Sequence, residues 1–206
     1  MATRESPEIR EGEILNACEK LYEKRCIKAM TIKDISEETS FSRPSIYNYF
    51  HSVEEIFFRL FEREYLLWCD DLEKIDSERT APEDLPRKLV RSLENRKLML
   101  RLLSDNIYGI LYSIENSSRI ERQISFERSY IKSIAIFDSV LKKTFPGRSD
   151  TEREKMRNVS FCFLEGIYTY AAVTPYQIGI MKIAGMEFEK RSIFEIALEG
   201  FEVILR

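Results

Sequence analysis

The sequence has few of the residue types that build metal centres and nucleophilic active sites. His51 is the one histidine among 206 residues. The four cysteines, Cys18, Cys26, Cys69 and Cys162, form no CxxC pair and have no zinc-finger spacing. Because a structural metal site needs several such ligands, we expect no metal and no cofactor. Reduced cysteines within a core are the simpler interpretation.

Glycine and proline are also scarce, and no long apolar run is present. The seven glycines and six prolines argue against low-complexity linkers. The N-terminus, MATRESPEIREGE, is polar and lacks the apolar core of a signal peptide. No stretch reaches the ~18 apolar residues that a membrane span needs. These absences predict a soluble, cytoplasmic protein.

The sequence has no excess of basic residues either. Its net charge is −3, and its first 50 residues carry eight Lys or Arg against nine Asp or Glu. A nucleic-acid partner is therefore not indicated by total charge, and a DNA-binding hypothesis must depend on where individual charges lie.

What is present is an apolar pattern of helical period. The spacing predicts a first helix from about Pro7 to Arg25. Thr31, with Asp34 three residues later, resembles a capping box that begins a short second helix ending near Thr39-Ser40. Another short helix is expected from Ser42 to His51, with Pro44 in its first turn. Two short helices joined by about three residues form a helix-turn-helix arrangement.

The remaining chain is also predicted to be helical. Ser52 and Glu55 form a capping box that begins a long helix to about Ile75. Further helices are expected over Leu85 to Leu103, Ser117 or Ser118 to Val140 and beyond, Glu152 to Val173 (capped by Ser149 or Asp150), Pro175 to Ala184 (as a short helix or turn), and Ser192 to Leu205. The second half of the helix at Glu152 is apolar nearly all round, which predicts burial on two sides.

One segment of this pattern resembles a known family. The residues in question are Ile14-Leu15, Ala17, Leu21-Tyr22, Thr31-Ile32, Asp34-Ile35, Phe41-Ser42, Ser45-Ile46-Tyr47, Tyr49-Phe50, Ser52, Glu54-Glu55 and Ile56-Phe57. With this spacing they resemble the DNA-binding domain of TetR-family transcriptional regulators. The resemblance implies an all-α fold, with a three-helix helix-turn-helix DNA-binding domain at residues 1–52 and a helical effector-binding and dimerisation domain at residues 53–206.

Three positions depart from the family pattern. A glycine usual after the first helix is Cys26 here, and the glycine usual in the turn is Ser40. If the backbone at either position is left-handed, as it often is where glycine ends a helix, a residue other than glycine would be strained there. Val53 stands where a lysine often begins the fourth helix, which removes a phosphate contact.

The helix that begins at Ser42 is the candidate recognition helix. Arg43 can donate two hydrogen bonds to guanine, Ser45 can bond to a base as donor or acceptor, and Pro44 can contact a thymine methyl group. The alternative is that Arg43 is a solvated charge and that Ser42 and Ser45 only cap the helix. The resemblance favours the DNA-binding role.

Further polar side chains near these helices are candidates for phosphate contacts. They are Thr31, Lys33, Tyr47, Asn48, Tyr49, His51 and Ser52. Tyr47 and Tyr49 resemble family positions whose hydroxyls touch phosphates, and ordinary amphipathic packing is the alternative for both. Thr31 and Ser52 are also expected to be helix caps. An exposed loop position is the alternative for His51.

The aromatic residues of the second domain are candidates for an effector pocket. They are Trp68, Tyr108, Tyr112, Phe126, Tyr130, Phe163 and Tyr170. The alternative for each is plain core packing, and the pocket as such follows from the resemblance alone. An apolar or aromatic small-molecule effector is favoured.

The expected function is that of a homodimeric regulator, in most cases a repressor, that an effector releases from a palindromic operator in double-stranded DNA. The last two long helices are the dimer candidates, because a helix that is apolar on two sides needs a second partner. One alternative is a helical-bundle small-molecule binding protein or enzyme without DNA-binding activity. It lacks support, since no phosphate loop, HExxH or ExxH pair is present. A sequence-tolerant DNA-organising protein is disfavoured by the weakly acidic N-terminal segment.

Overall fold

The computed structural model describes residues 6–112 and 118–206, and within those ranges it contains helices and no β-strand. The all-α fold predicted from the sequence is confirmed. The helices are α1 (Pro7–Tyr22), α2 (Ile32–Glu37), α3 (Arg43–Tyr47), α4 (Val53–Ser77), α5 (Leu85–Glu94), α6 (Lys97–Ser104), α7 (Ile107–Tyr112), α8 (Ile120–Thr144), α9 (Asp150–Ala171), α10 (Pro175–Ile183) and α11 (Ile193–Ile204), with a 3-10 turn at Ile27–Ala29. Of the helices described, none is long and apolar enough to cross a membrane.

The chain divides into two compact units. The first, here called the N-terminal unit, comprises residues 1–63 and 109–129, and the second, the C-terminal unit, comprises residues 64–108 and 130–206. The helix-turn-helix segment predicted at residues 1–52 lies wholly within the N-terminal unit. The domain boundary placed between residues 52 and 53 stays a prediction.

The core of the N-terminal unit is built on the apolar stripe of α1. Ile14, Cys18 and Tyr22 are fully buried, as the helical spacing predicts. The ring of Tyr22 packs edge-on against that of Phe57, with 5.2 Å between centroids. Buried isoleucines of α2 and α3 complete this core, and their burial fixes which faces of the two short helices remain exposed.

Two helices of this unit are shorter than predicted. α1 ends at Tyr22 instead of Arg25, because the N–H groups of Lys24 and Arg25 both turn back to the carbonyl of Leu21, at 3.0 Å each. α3 ends at Tyr47 instead of His51. Residues 48–50 still donate to carbonyls of its last turn, so the prediction included a tail that is a turn.

In the C-terminal unit, the helix predicted from Leu85 to Leu103 is broken into α5 and α6. The break falls at Asn95 and Arg96, whose backbone leaves the helical region, and the side chain of Arg96 bonds to Asp71 at 3.2 Å. Asn95 favours a turn over a continuous helix, because its side chain competes with the helix backbone for hydrogen bonds. α11 packs against α5 and α9, and α6 packs against α9.

Capping boxes mark the starts of the last three helices. The hydroxyls of Ser149, Thr174 and Ser192 each accept a hydrogen bond from the backbone N–H three residues on, and the backbone N–H of each serine or threonine donates in return to the side chain of that later residue. Of the two predicted caps of α9, Ser149 and Asp150, the structure shows Ser149, and the start predicted at Ser192 is confirmed. Of the two predicted starts of the preceding helix, Ser117 lies outside the described residues, and α8 begins after Ser118, at Ile120.

Candidate nucleic-acid interface

The faces of α2 and α3 that do not enter the core form a polar surface. Ile32, Ile35 and Ile46 are buried, so the opposite sides of both helices point away from the core. The exposed side chains on this surface are Thr31, Lys33, Ser42, Arg43, Pro44, Tyr47, Asn48 and His51. Ser45, Tyr49 and Ser52 are half-buried beside them. All eleven predicted DNA-contacting residues therefore belong to the N-terminal unit, eight of them exposed and three half-buried.

The start of α2 is held by the predicted capping box. The N–H of Asp34 donates to the Thr31 hydroxyl at 3.2 Å, and Asp34 Oδ2 accepts from the N–H and the hydroxyl of Thr31 at 2.8 and 2.6 Å. Arg25 donates to the other carboxylate oxygen at 2.8 Å. Hydrogen bonds from Thr31 and then from Arg25 lower the pKa of Asp34. Aspartate at this position thus works as the cap partner, in place of the more usual glutamate.

At the start of α3, the two serines bond to each other. Ser42 stands at the N-cap position, and its hydroxyl oxygen lies 2.8 Å from that of Ser45 instead of bonding to the backbone. The guanidinium group of Arg43 lies over the ring of Tyr47, 5.9 Å from the centroid, and 3.5 Å from its hydroxyl. Arg43 and Tyr47 therefore share one exposed face, one helical turn apart.

The three departures from the family pattern produce no left-handed backbone. Cys26 has a φ of −86°, and in the described residues Asn106 is the non-glycine residue with positive φ. The turn at Ser40 is held by the Glu13 carboxylate, which accepts from the Ser40 N–H at 2.6 Å and its hydroxyl at 3.1 Å. Val53 is buried, so its side chain contributes to the core of the N-terminal unit.

Glu55 has a second role beyond the predicted cap of α4. Its N–H donates to the Ser52 hydroxyl at 3.1 Å, which confirms the cap. Its carboxylate accepts from the N–H of His51 at 2.9 Å and, on both oxygens, from Arg119. Burial by itself raises the pKa of Glu55, but the bonds from the Arg119 side chain and from the N–H groups of His51 and Arg119 outweigh it and hold the pKa at about 2.

Arg119 is the functional candidate that sequence reasoning missed. It lies just before α8, and it also donates to the Tyr49 carbonyl at 2.8 Å. A lone arginine 64 residues from its partner leaves no local signal in the sequence. The one available signal was Glu55 itself, a glutamate at the core-facing position of a helix start.

The seven predicted pocket residues are spread over several places. In the C-terminal unit, Trp68 and Tyr130 belong to an aromatic cluster around Phe161, and the Trp68 indole N–H donates to Ser92 at 3.1 Å. Phe163 packs on Phe201, and Tyr108 and Tyr170 are exposed. In the N-terminal unit, Phe126 and Tyr112 both contact Phe58. Whether any of them binds an effector stays a prediction.

A cleft of about 650 Å³ in the C-terminal unit was not predicted. It lies between the ends of α5 and α9 and the start of α11, and its lining includes Val90, Glu94, Lys97, Tyr168, Arg191 and Phe194. None of the seven predicted pocket residues lines it. The part of the chain that is described contains no cluster of three or more His, Cys, Asp or Glu side chains that could hold a metal ion.

Comparisons with known proteins agree with this geometry. Residues 14–60 match the family model described as bacterial regulatory proteins, tetR family. A segment of 60 residues is 40% identical to the uncharacterized HTH-type transcriptional regulator YfiR of Bacillus subtilis (strain 168), and it covers 29% of this chain and 29% of that relative.

Solved structures extend the comparison to almost the whole chain. The fatty acid degradation regulator FadR from Bacillus halodurans aligns over 98% of this chain and 97% of its own, at 17% identity and a TM-score of 0.62. The Bacillus subtilis FadR, solved in complex with stearoyl-CoA, aligns over 94% and 97%, at 15% identity and 0.60. A TetR/AcrR regulator from Thermobifida fusca YX-ER1 aligns over 95% and 96%, at 16% identity and 0.63. Residues 14–60 therefore carry the sequence pattern of the TetR family of bacterial regulatory proteins, and the chain shares the fold of these solved regulators over nearly its whole length.

Proposed function

We propose that this protein is a sequence-specific DNA-binding transcriptional regulator: a homodimeric repressor that a small-molecule effector releases from a palindromic operator. The observation that carries the proposal is that the polar candidates on and beside α2 and α3 are exposed or half-buried, whereas the isoleucines of the same helices are buried. Residues 1–52 form the DNA-binding domain in this proposal, and residues 53–206 bind the effector and the second copy.

Base reading is assigned to the first turn of α3. Arg43 is exposed and can present its guanidinium group to guanine O6 and N7 in the major groove. Pro44 offers apolar contact to a thymine methyl group, and Ser45 can donate or accept. The paired hydroxyls of Ser42 and Ser45 can exchange their mutual bond for bonds to DNA.

Contacts to the phosphates are assigned to the residues around this turn, namely Thr31, Lys33, Tyr47, Asn48, Tyr49, His51 and Ser52. Since the first 50 residues carry no net positive charge, affinity depends on these local contacts.

A second copy of the chain is the proposed partner of α9 and α11. Val159 and Tyr170 on α9 and Val203 on α11 are large apolar side chains that remain exposed in the single chain. α10, between these helices, buries none of its residues and exposes Tyr176 and Ile183. Large apolar side chains exposed on neighbouring helices are typical of an interface. Two DNA-binding domains joined through this interface would contact operator half-sites whose centres are about 34–36 Å apart or slightly more.

The effector is proposed to be apolar or aromatic. The candidates for its pocket remain Trp68, Tyr108, Tyr112, Phe126, Tyr130, Phe163 and Tyr170, most of which contact other aromatic rings. A protein of the same fold, Bacillus subtilis FadR, was solved with stearoyl-CoA, whose long acyl chain is apolar. Release of DNA requires that the effector bind the DNA-incompetent state more tightly.

The test is a selection from random double-stranded DNA on the purified protein at ~0.15 M salt, a concentration at which specific sites are retained. Enrichment of one palindromic motif is expected. The competing hypothesis, a helical-bundle binding protein or enzyme without DNA-binding activity, predicts no enrichment by a folded dimer. A DNA-organising protein predicts binding without a motif and a steep loss of affinity with salt.

A further inference from the structure

A side chain from a distant part of the chain holds the segment that follows α3. α3 ends at Tyr47, and residues 48–52 lead into α4. Arg119 donates from Nη2 to the Tyr49 carbonyl at 2.8 Å. Two residues later, the N–H of His51 donates to Glu55 at 2.9 Å. The segment from Tyr49 to His51 is thus bonded at both ends to the same pair of side chains.

Glu55 and Arg119 are bound to each other in a fixed geometry. Arg119 Nε and Nη2 donate to the two carboxylate oxygens at 2.9 and 2.8 Å, and the Arg119 N–H adds a third bond at 2.7 Å. Bidentate pairs of this kind have narrow angular freedom. Glu55 is fully buried, so breaking the pair would leave a charge without compensation away from water.

α3 packs against α2, but it makes few specific polar contacts of its own. It is five residues long, and Ile46 is its one buried residue. The side chain of Ser42 at its N-cap position makes no bond to the helix backbone. The end of α3 nearest to Tyr49 is therefore the end at which specific polar contacts can set its direction.

We propose that Arg119 and Glu55 are positioning residues for operator binding, which fix the direction in which α3 is presented to DNA without touching the DNA themselves. This inference rests on the proposed function. It adds to the DNA-reading machinery a residue far outside the helix-turn-helix sequence. Direct base readout needs donor and acceptor atoms placed within a few tenths of an ångström, so a small tilt of α3 weakens several contacts together.

The test measures binding of the full-length protein to its selected operator. Arg119→Gln removes both the positive charge and the paired Nε and Nη2 donors. Arg119→Lys keeps the charge but cannot form the bidentate bond to Glu55. Arg128→Gln is the matched control, because it removes the same charge from an exposed position on α8. We expect Arg119→Gln to bind about tenfold more weakly or worse, Arg119→Lys to be intermediate, and Arg128→Gln to bind like the wild type.

Two readouts separate positioning from other roles. Circular dichroism and the midpoint of thermal unfolding establish that each variant is folded, and Arg119→Lys decides the question if Arg119→Gln does not fold. The slope of log affinity against log salt concentration should equal that of the wild type. A slope reduced by about one would mean that Arg119 itself contacts a phosphate, which overturns the inference.

The remaining outcomes distinguish this inference from the proposed function. Operator binding by folded Arg119→Gln at wild-type affinity overturns the inference and leaves the proposed function standing. Absence of any selected operator for the wild-type protein overturns the proposed function and the inference with it.

Discussion

The ring of Phe163 on α9 lies directly against the backbone of Gly200 on α11. A methyl group at Gly200 would come within 2.1 Å of the Phe163 Cζ atom, well inside van der Waals contact. The same ring packs edge-on against Phe201, with 5.7 Å between centroids. Glycine at position 200 is therefore what lets α9 and α11 approach each other at this point.

Gly200→Ala should lower the free energy of unfolding in spite of its better helix propensity. The propensity gain is about 1 kcal/mol at most, whereas moving the Phe163 ring sacrifices part of the roughly 1.5–3 kcal/mol that burial of a phenylalanine contributes. We expect a net loss of about 1 kcal/mol, measured by chemical denaturation at fixed protein concentration. Gly166→Ala, where no atom lies within 4 Å of the added methyl group, should stabilise the protein. Equal gains from both variants would contradict the packing described here.

Arg43→Ala should weaken operator binding at one base position. Loss of a bidentate contact to guanine costs about 1–3 kcal/mol and relaxes specificity at that position alone. The measurement compares both proteins on operators with each base pair substituted in turn. Lys33→Ala is the useful contrast, since loss of a phosphate contact should weaken binding evenly across sequences. If Arg43→Ala keeps full affinity and unchanged specificity, the assignment of Arg43 to base readout is wrong.

Glu55→Gln should remove an acid-sensitive part of the stability. The folded state holds the pKa of Glu55 at about 2, below the usual 4.5, so the ionised carboxylate stabilises the fold above pH 5. As the pH falls towards 2, the unfolded chain takes up the proton first and this contribution is lost. The excess stability of the wild type over Glu55→Gln should shrink by about 2 kcal/mol between pH 7 and pH 3. An excess that stays constant over this range would show that Glu55 is not held ionised.

Charged substitutions on the exposed apolar surface should separate the two copies. Ile183 on α10 is 84% exposed and Val203 on α11 is 68% exposed, so glutamate at either position leaves the fold of the single chain intact. Sedimentation velocity should show a shift from dimer to monomer for Ile183→Glu and Val203→Glu. Ile131→Glu, at a 60% exposed position on α8, is the control and should remain dimeric. If Ile183→Glu and Val203→Glu both dimerise as the wild type does, the interface lies elsewhere.

Features set by neighbouring residues could be predicted from the sequence. The caps at Thr31, Ser52, Ser149 and Ser192 each depend on a residue three positions away, and all four are present. Helix ends were less predictable, because the residues that follow the last turn can still have a high helix propensity. The break between α5 and α6 is an example, since Leu100 follows Leu93 by seven residues, as in one continuous helix, across the four polar residues that separate Leu93 from Leu98.

Contacts between distant residues could not be predicted. The side chain of Glu13 that holds Ser40 lies 27 residues away, and the glycine pattern alone suggested strain where none exists. The aromatic residues assigned to a pocket have the same composition and spacing as core residues. Only their three-dimensional neighbours show that Trp68 and Tyr130 share a cluster whereas Tyr170 is exposed.

The ion pair between Glu55 and Arg119 bears on how this protein can be cut and recombined. In the intact chain, the Glu55 carboxylate accepts four hydrogen bonds, three of them from Arg119. A fragment that ends between these two residues keeps the carboxylate but loses the guanidinium group, so its negative charge is left uncompensated. A chimera that joins this helix-turn-helix segment to the C-terminal part of another regulator must therefore also include an arginine equivalent to Arg119. The unit that can be transferred to another protein is therefore made of two separate chain segments, residues 1–63 and 109–129.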